Sequence, residues 1–433
     1  KKVFKNKFSQ IITFFLFLII TIILFKKFNK YYSQNDFAKI LILFILLINF
    51  FLGFLIRKFT KISLVFFGYF ILILYSVNGL LLFFDIQNTP QKKIEKVLEK
   101  ENKTFDKRSI IEVVKDERSK NVEIYPQVVP REFLKKNIKK IPLTPMANTL
   151  FVSCNEFGEW KKIKTDKLGL NNERFIDTFD ILLMGDSFAE GSCVNQLDEP
   201  ATLLNQNYNL KTYNIGISGN GPLLSLALAH EIKPLIDFHT IIWLIFDNDF
   251  YDINLEIQSS FLKNYLIKNF DNNEYFQNID EAYKFQKKYI EDNLESLKKG
   301  FSFKESFFEL KAVISRINKL IHRNNPEDTF VFQRKLFENI FEKLTFIYPE
   351  KKIYIVYLPE TTCFKHRSLQ CSKRFEELSQ TSNNLNFLNF YEHLKNNNDE
   401  YKKMYALGQD RAHFSPLGYS ELVKFILSES QKD

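Results

Sequence analysis

The chain has 433 residues, enough for two or three structural units. Its net charge is +9, but residues 1–84 hold eleven Lys/Arg against Asp36 alone, and the remaining 49 Lys/Arg face 50 Asp/Glu. The basic excess flanks apolar segments and forms no phosphate-binding face, so no nucleic-acid partner is expected.

Three apolar runs come first, at roughly 8–25, 40–56 and 62–84. Each is near the ~20 residues a helix needs to cross a bilayer, and none contains Asp, Glu, Lys or Arg. A buried helix of a soluble domain would ordinarily keep a polar face. Residues 1–84 are therefore expected to be a three-helix transmembrane region in contact with the lipid bilayer. Lys1, Lys2, Lys5 and Lys7 share one side with Arg57, Lys58 and Lys61, while Lys26, Lys27, Lys30 and Lys39 lie on the other. The heavier side is expected in the cytoplasm. That places everything after residue 85 on the extracytoplasmic (periplasmic) side of a multi-pass inner-membrane protein.

Residues 85–150 are charged and glycine-free, with Pro126, Pro130, Pro142 and Pro145 late in the stretch. They are expected to form a stalk or linker, with a short helix at 91–101 where Ile94, Val97 and Leu98 recur at helical spacing. From residue 151 to 433 short apolar runs end in turn residues. These are Ile181–Met184, Lys211–Ile215, Thr240–Phe246, Lys352–Leu358 and Asn386–Tyr391. Buried strands alternating with helices predict an α/β fold, a parallel sheet covered on both faces. Residues 250–345 interrupt this alternation. They are expected to be a helical insertion, either shaping the substrate or packing on the membrane part, and the first role is favoured because it begins beside Asn248.

Chemistry collects at the strand ends. Gly185-Asp186-Ser187 follows the first strand and offers Ser187 as a nucleophile, provided a base removes its proton. Asn214-Ile215-Gly216-Ile217-Ser218-Gly219 follows the second, where glycine lets backbone N–H groups face a ligand oxygen. Asp247-Asn248-Asp249 follows the third, and the Asn248 amide can donate to an oxyanion. Asp410-Arg411-Ala412-His413 precedes a helix capped by Ser415 and started by Pro416. Asp410 is placed to accept from His413 Nδ1–H, leaving Nε2 as the base. No His/Cys cluster has metal spacing, so neither metal nor cofactor is expected.

Four cysteines, Cys154, Cys193, Cys363 and Cys371, all follow the apolar runs. An even count suits two disulfides in an exported domain. Three pairings are open. Cys363–Cys371 encloses only seven residues and is cheap to close. It is expected together with Cys154–Cys193, which would tie the segment before the sheet to the loop after Ser187.

These blocks resemble the SGNH hydrolase superfamily, the GDSL-type esterases and acyltransferases, over about 180–250 and 350–430. Asp247 replaces the glycine usual in the third block. The region Cys154-Asn155-Glu156 and Cys193 resembles membrane-tethered bacterial members. The resemblance implies a three-layer α/β/α sandwich. It also implies a catalytic triad of Ser187, Asp410 and His413, with an oxyanion hole from Ser187, Gly219 and Asn248. An acyl ester, often acetyl, on an exported glycan or similar hydroxyl compound is the implied substrate. A transferase would draw on a separate membrane acyl-donor partner. The alternatives are a glycan-binding module that has lost catalysis, or a structural membrane subunit.

Overall fold

The computed structural model describes residues 60–87, 90–100, 102–134, 141–270, 273–297, 303–321, 326–361, 364, 385–395, 398–408 and 412–431. These divide into two compact units. One holds 60–87 with 303–321, and the other holds the remaining described residues.

The larger unit is built on five parallel strands. They are β4 (Ile181–Gly185), β5 (Thr212–Asn214), β6 (Thr240–Phe246), β7 (Lys352–Leu358) and β8 (Leu385–Asn389), in the order β5-β4-β6-β7-β8. The predicted strands are recovered to within a residue or two at their ends. Alternation along each strand sends side chains to two separate cores. Leu182, Met184, Trp243, Ile245, Ile353 and Ile355 enter one, with the helices Pro222–Ile232 and Pro326–Ile347. Ile181, Leu183, Ile242, Leu244, Tyr354 and Val356 enter the other, with the helix Pro416–Ser430. Every residue of the Pro222–Ile232 helix is buried, which explains why it shows no polar face. The chain reverses direction across the sheet between β4 and β6. Crevices in such sheets open at that switch point, outside the strands' carboxyl ends.

The segment expected as a stalk is folded into this unit. Phe133, Ile141, Leu143, Met146 and Phe151 belong to the same core as Leu182 and Trp243. Its strands β1 (Ile124–Pro126) and β2 (Leu150–Val152) pair in parallel, and β3 (Lys162–Lys164) joins antiparallel to β2. Three-residue strands are too short to show a period in sequence. The expected helix is present as Pro90–Lys100.

The smaller unit contains the helix Thr60–Gln87 and two short helices, Phe303–Phe308 and Lys311–Ile321. Part of the 250–345 insertion thus belongs with the third apolar run. Asn78, fully buried in that run, explains the pairing. Its Nδ2 donates to Phe307 O at 3.0 Å, and its Oδ1 accepts from Ala312 N and Val313 N at 3.2 Å each. One side chain thereby satisfies the helix ends on either side of the break at 308–310. Among the described residues no helix is long and apolar enough to cross a membrane. The runs 8–25 and 40–56 lie outside the described residues. Of the third, which lies in the helix Thr60–Gln87, the side chains of Tyr69 and of residues 71–84 are described.

Candidate active site

Ser187 opens a four-residue helix, Ser187–Glu190, directly after β4. Gly185 turns the chain at φ +144°, where a Cβ would lie 2.5 Å from Leu244 O. Asp186 caps the helix by accepting from Phe188 N at 2.9 Å. Ser187 is half-buried, and its Oγ has no hydrogen-bond partner among the described residues.

Two glycines of the next turn do different work. A Cβ on Gly216 would sit 2.5 Å from Ala189 Cβ, so Gly216 permits the turn to touch the serine helix. Gly219, at φ +75°, is needed for its backbone conformation and not for close approach; the nearest atoms to its virtual Cβ, Val129 Cγ2 at 3.4 Å and Arg131 Cδ at 3.6 Å, are at ordinary contact distance. Asn214 is structural, since its buried Nδ2 donates to Ala189 O at 2.7 Å and its Oδ1 accepts from Gly216 N at 2.8 Å. Buried Glu190 ties the turns together. It accepts from Gln127 Nε2 at 2.7 Å, from Ser192 Oγ at 2.8 Å and from Ser218 Oγ.

Asn248 follows β6. Its Nδ2 donates to Asp252 Oδ2 at 3.2 Å, and Asp252 Oδ1 in turn pairs with Arg131 Nη1 at 2.6 Å. Burial pushes the Asp186 carboxyl up, while the Phe188 N–H, the His413 charge and the Asn248 amide pull it back. His413 and Asn248 thus both act on the residue that precedes Ser187. The end of β4, the end of β6 and the segment before the last helix meet at Phe188, whose ring centroid lies 4.4 Å from that of Phe246, 5.3 Å from His413 and 4.9 Å from Phe414.

His413 is held by a residue that sequence reasoning did not assign. Its backbone N–H donates to Glu156 Oε2 at 2.9 Å, and its Nδ1 lies 3.0 Å from Glu156 Oε1. Its ring packs on Phe188 with centroids 5.3 Å apart. Asp410, the carboxylate expected at Nδ1, lies outside the described residues. The sequence signal for Glu156 is its place in the Cys154-Asn155-Glu156 block, whose resemblance assigned it no role. Burial alone would lower the His413 pKa, but the charge and hydrogen bond of Glu156, with Asp186 and Glu190 behind, raise it. Burial would raise Glu156, but the His413 charge and hydrogen bonds hold it below the ordinary carboxylate range.

Cys154 and Cys193 form a disulfide, as expected. Cys363 and Cys371 lie outside the described residues. Cys193 Sγ is 3.3 Å from His413 Nδ1. Glu156, Cys193 and His413 bring three ligand-type atoms within 4.8 Å of one another, but the disulfide removes the thiolate a metal would use. Beside Cys193 a cleft of about 740 Å³ is lined by Phe157, Trp160, Lys162, Asn171, Asn195 and Gln196, among others.

No family model matches the chain, and no curated protein matches it. One similar solved structure is described as "a putative platelet activating factor from Streptococcus pneumonia". It is 15% identical over 59% of this chain and 84% of that one, with a TM-score of 0.30. The α/β fold with its five-stranded parallel sheet rests on the strand pairing of this chain itself.

Proposed function

We propose that this chain is a membrane-anchored serine esterase or O-acyltransferase acting on acyl esters of an exported glycan or a similar hydroxyl compound. The observation that carries the reading is His413. A carboxylate occupies its Nδ1, which leaves Nε2 as the base, and its ring lies against the residue after Ser187. Nε2 takes the Ser187 Oγ proton as Oγ attacks the ester carbonyl. The oxyanion is received by the N–H groups of Ser187 and Gly219 and by the Asn248 amide, which turns from Asp252 to reach it. The C–O bond breaks, the leaving alcohol takes the proton from His413, and acyl-Ser187 remains. Water or a second hydroxyl, deprotonated by His413, then attacks the acyl carbon; the bond to Oγ breaks, Ser187 takes the proton back from His413, and the acyl group leaves as acid or as a new ester. In a transferase a separate membrane protein supplies the acyl donor. The cleft beside Cys193, where Trp160, Asn171, Asn195 and Gln196 stand among lysines and glutamates, suits a polar, hydroxyl-rich acceptor.

Residues 1–84 anchor the chain in the bilayer and the rest is extracytoplasmic. Three features support this: the uncharged stretch between Lys61 and Asp85, the exposed side chains Leu72, Ile73, Leu80, Phe83 and Phe84, and a disulfide suited to an oxidising compartment.

A second reading is a glycan-binding module. It is favoured by the cleft beside Cys193, whose lining includes Trp160, Asn171, Asn195 and Gln196 and none of Ser187, Asn248 or His413. Treatment with a fluorophosphonate probe separates the two. Labelling that Ser187→Ala abolishes supports the enzyme, while no labelling together with glycan binding supports the module. Short-chain acyl esters, offered with and without a glycan acceptor, then distinguish hydrolysis from transfer.

A further inference from the structure

We propose that Glu156, and not Asp410, is the carboxylate that positions His413, and that the Cys154–Cys193 disulfide keeps it there. The proposal rests on the serine-hydrolase reading and assigns a positioning residue to it. Both carboxylate oxygens of Glu156 are spent on His413, one on its backbone N–H and one on Nδ1. That two-point grip sets the ring orientation and the tautomer together. Nδ1–H is a single donor, and Glu156 already receives it.

Glu156 reaches the site on the loop between β2 and β3. The loop is fastened from behind. Asn155 Nδ2 donates to Asp106 O at 2.8 Å, Asp106 N donates to Gly158 O at 2.7 Å, and Trp160 Nε1 donates to Arg108 O at 3.0 Å. These bonds hold the loop to residues 106–108. Lys161 at its far end reaches the serine turn by donating to Gly191 O at 2.7 Å, and the disulfide ties the turn to the end that carries Glu156. Cys154 stands two residues before Glu156 and Cys193 six residues after Ser187. The acid loop and the nucleophile turn are thereby joined by a covalent bond whose Cys193 sulfur touches the His413 ring. β2 and β3 pair over only three residues each, a short anchor for a catalytic distance.

The test uses the full-length protein in detergent. It measures fluorophosphonate labelling and the pH dependence of kcat/KM on p-nitrophenyl acetate for Glu156→Gln and Asp410→Asn. Glu156→Gln should label at least ~10²-fold more slowly, in line with loss of a triad carboxylate. Its acidic limb should move to lower pH, a change that loosened structure alone would not produce. Asp410→Asn should stay within about threefold of the wild type. If Glu156→Gln fails to fold, the wild type still decides the matter. A phosphine reduces the disulfide to two thiols and becomes phosphine oxide with the oxygen of water. Labelling should then slow at least tenfold, and the double variant Cys154→Ser/Cys193→Ser should match the reduced protein. Severe loss in Asp410→Asn with near-normal Glu156→Gln, or full activity after reduction, overturns the proposal. A wild type that never labels would instead sink the hydrolase reading itself.

Discussion

Lys161 Nζ lies 2.7 Å from Glu199 Oε1, with the two side chains only 9% and 4% exposed. Lys161 also donates to Gly191 O at 2.7 Å, in the turn that follows Ser187. Burial pushes the Glu199 carboxyl up to about 7, even though Lys161 and Asn171 both act to lower it. Removing the cation leaves a buried carboxylate without its counter-charge. Lys161→Met should cost about 3–5 kcal/mol, the usual loss when one partner of a buried pair goes. A carboxyl raised in the folded state stabilises below its unfolded value, and that contribution is lost as pH rises through the folded value. The loss should therefore be small near pH 5 and full near pH 8. Thermal unfolding at the two pH values checks this, and equal losses at both would count against it.

The acidic limb of activity should lie above 6.5. His413 acts as base only when neutral, and Glu156 raises its pKa above the ordinary value of 6.5. Activity is therefore lost as pH falls through that raised value. Stability runs the other way. The contribution of His413 is fully present below its unfolded pKa and fades as pH rises through the folded one. Glu156, held low, contributes above its unfolded value and loses that contribution as pH falls through its folded value. A pH profile of kcat/KM with its limb at or below 6.5 would contradict the arrangement.

Ser187→Ala should abolish acyl-enzyme formation, because the nearby hydroxyls of Ser192 and Ser218 are both engaged by Glu190. Asn248→Ala should lower kcat by about 10²–10³, the loss typical of one oxyanion donor. The Arg131–Asp252 ion pair remains in that variant, so its thermal midpoint should hardly move. A large fall in midpoint would make Asn248 a structural residue instead.

Asn78→Leu keeps the size of the side chain but leaves Ala312 N, Val313 N and Phe307 O without their partner. Each unpaired buried group costs about 1–3 kcal/mol. Residues 303–321 should then exchange amide hydrogens and be cleaved by protease faster, while labelling of Ser187 continues. Unchanged protection of 303–321 would show that the Asn78 bonds add nothing.

Much of the sheet was legible in the sequence because its signals are local. A buried parallel strand is a short apolar run, and β4, β6 and β7 stand out between turn residues on that ground alone. The turns that end β4, β5 and β6 mark themselves by Gly, Asn and Asp, so Ser187, Gly219 and Asn248 could be singled out before any coordinates. The sequence also placed Cys154 with Cys193. It did not reveal Glu156, which acts on a histidine 257 residues away from a loop between two three-residue strands. It left open whether the 250–345 insertion packs on the membrane part, and could not single out 303–321, since one asparagine closes that contact across more than 220 residues. The burial of Lys161 with Glu199 was equally hidden. In each case the decisive partner is remote in the chain, and only packing brings its charge or amide within reach. Local periodicity reports which face is apolar, whereas the tertiary fold decides which buried polar groups meet.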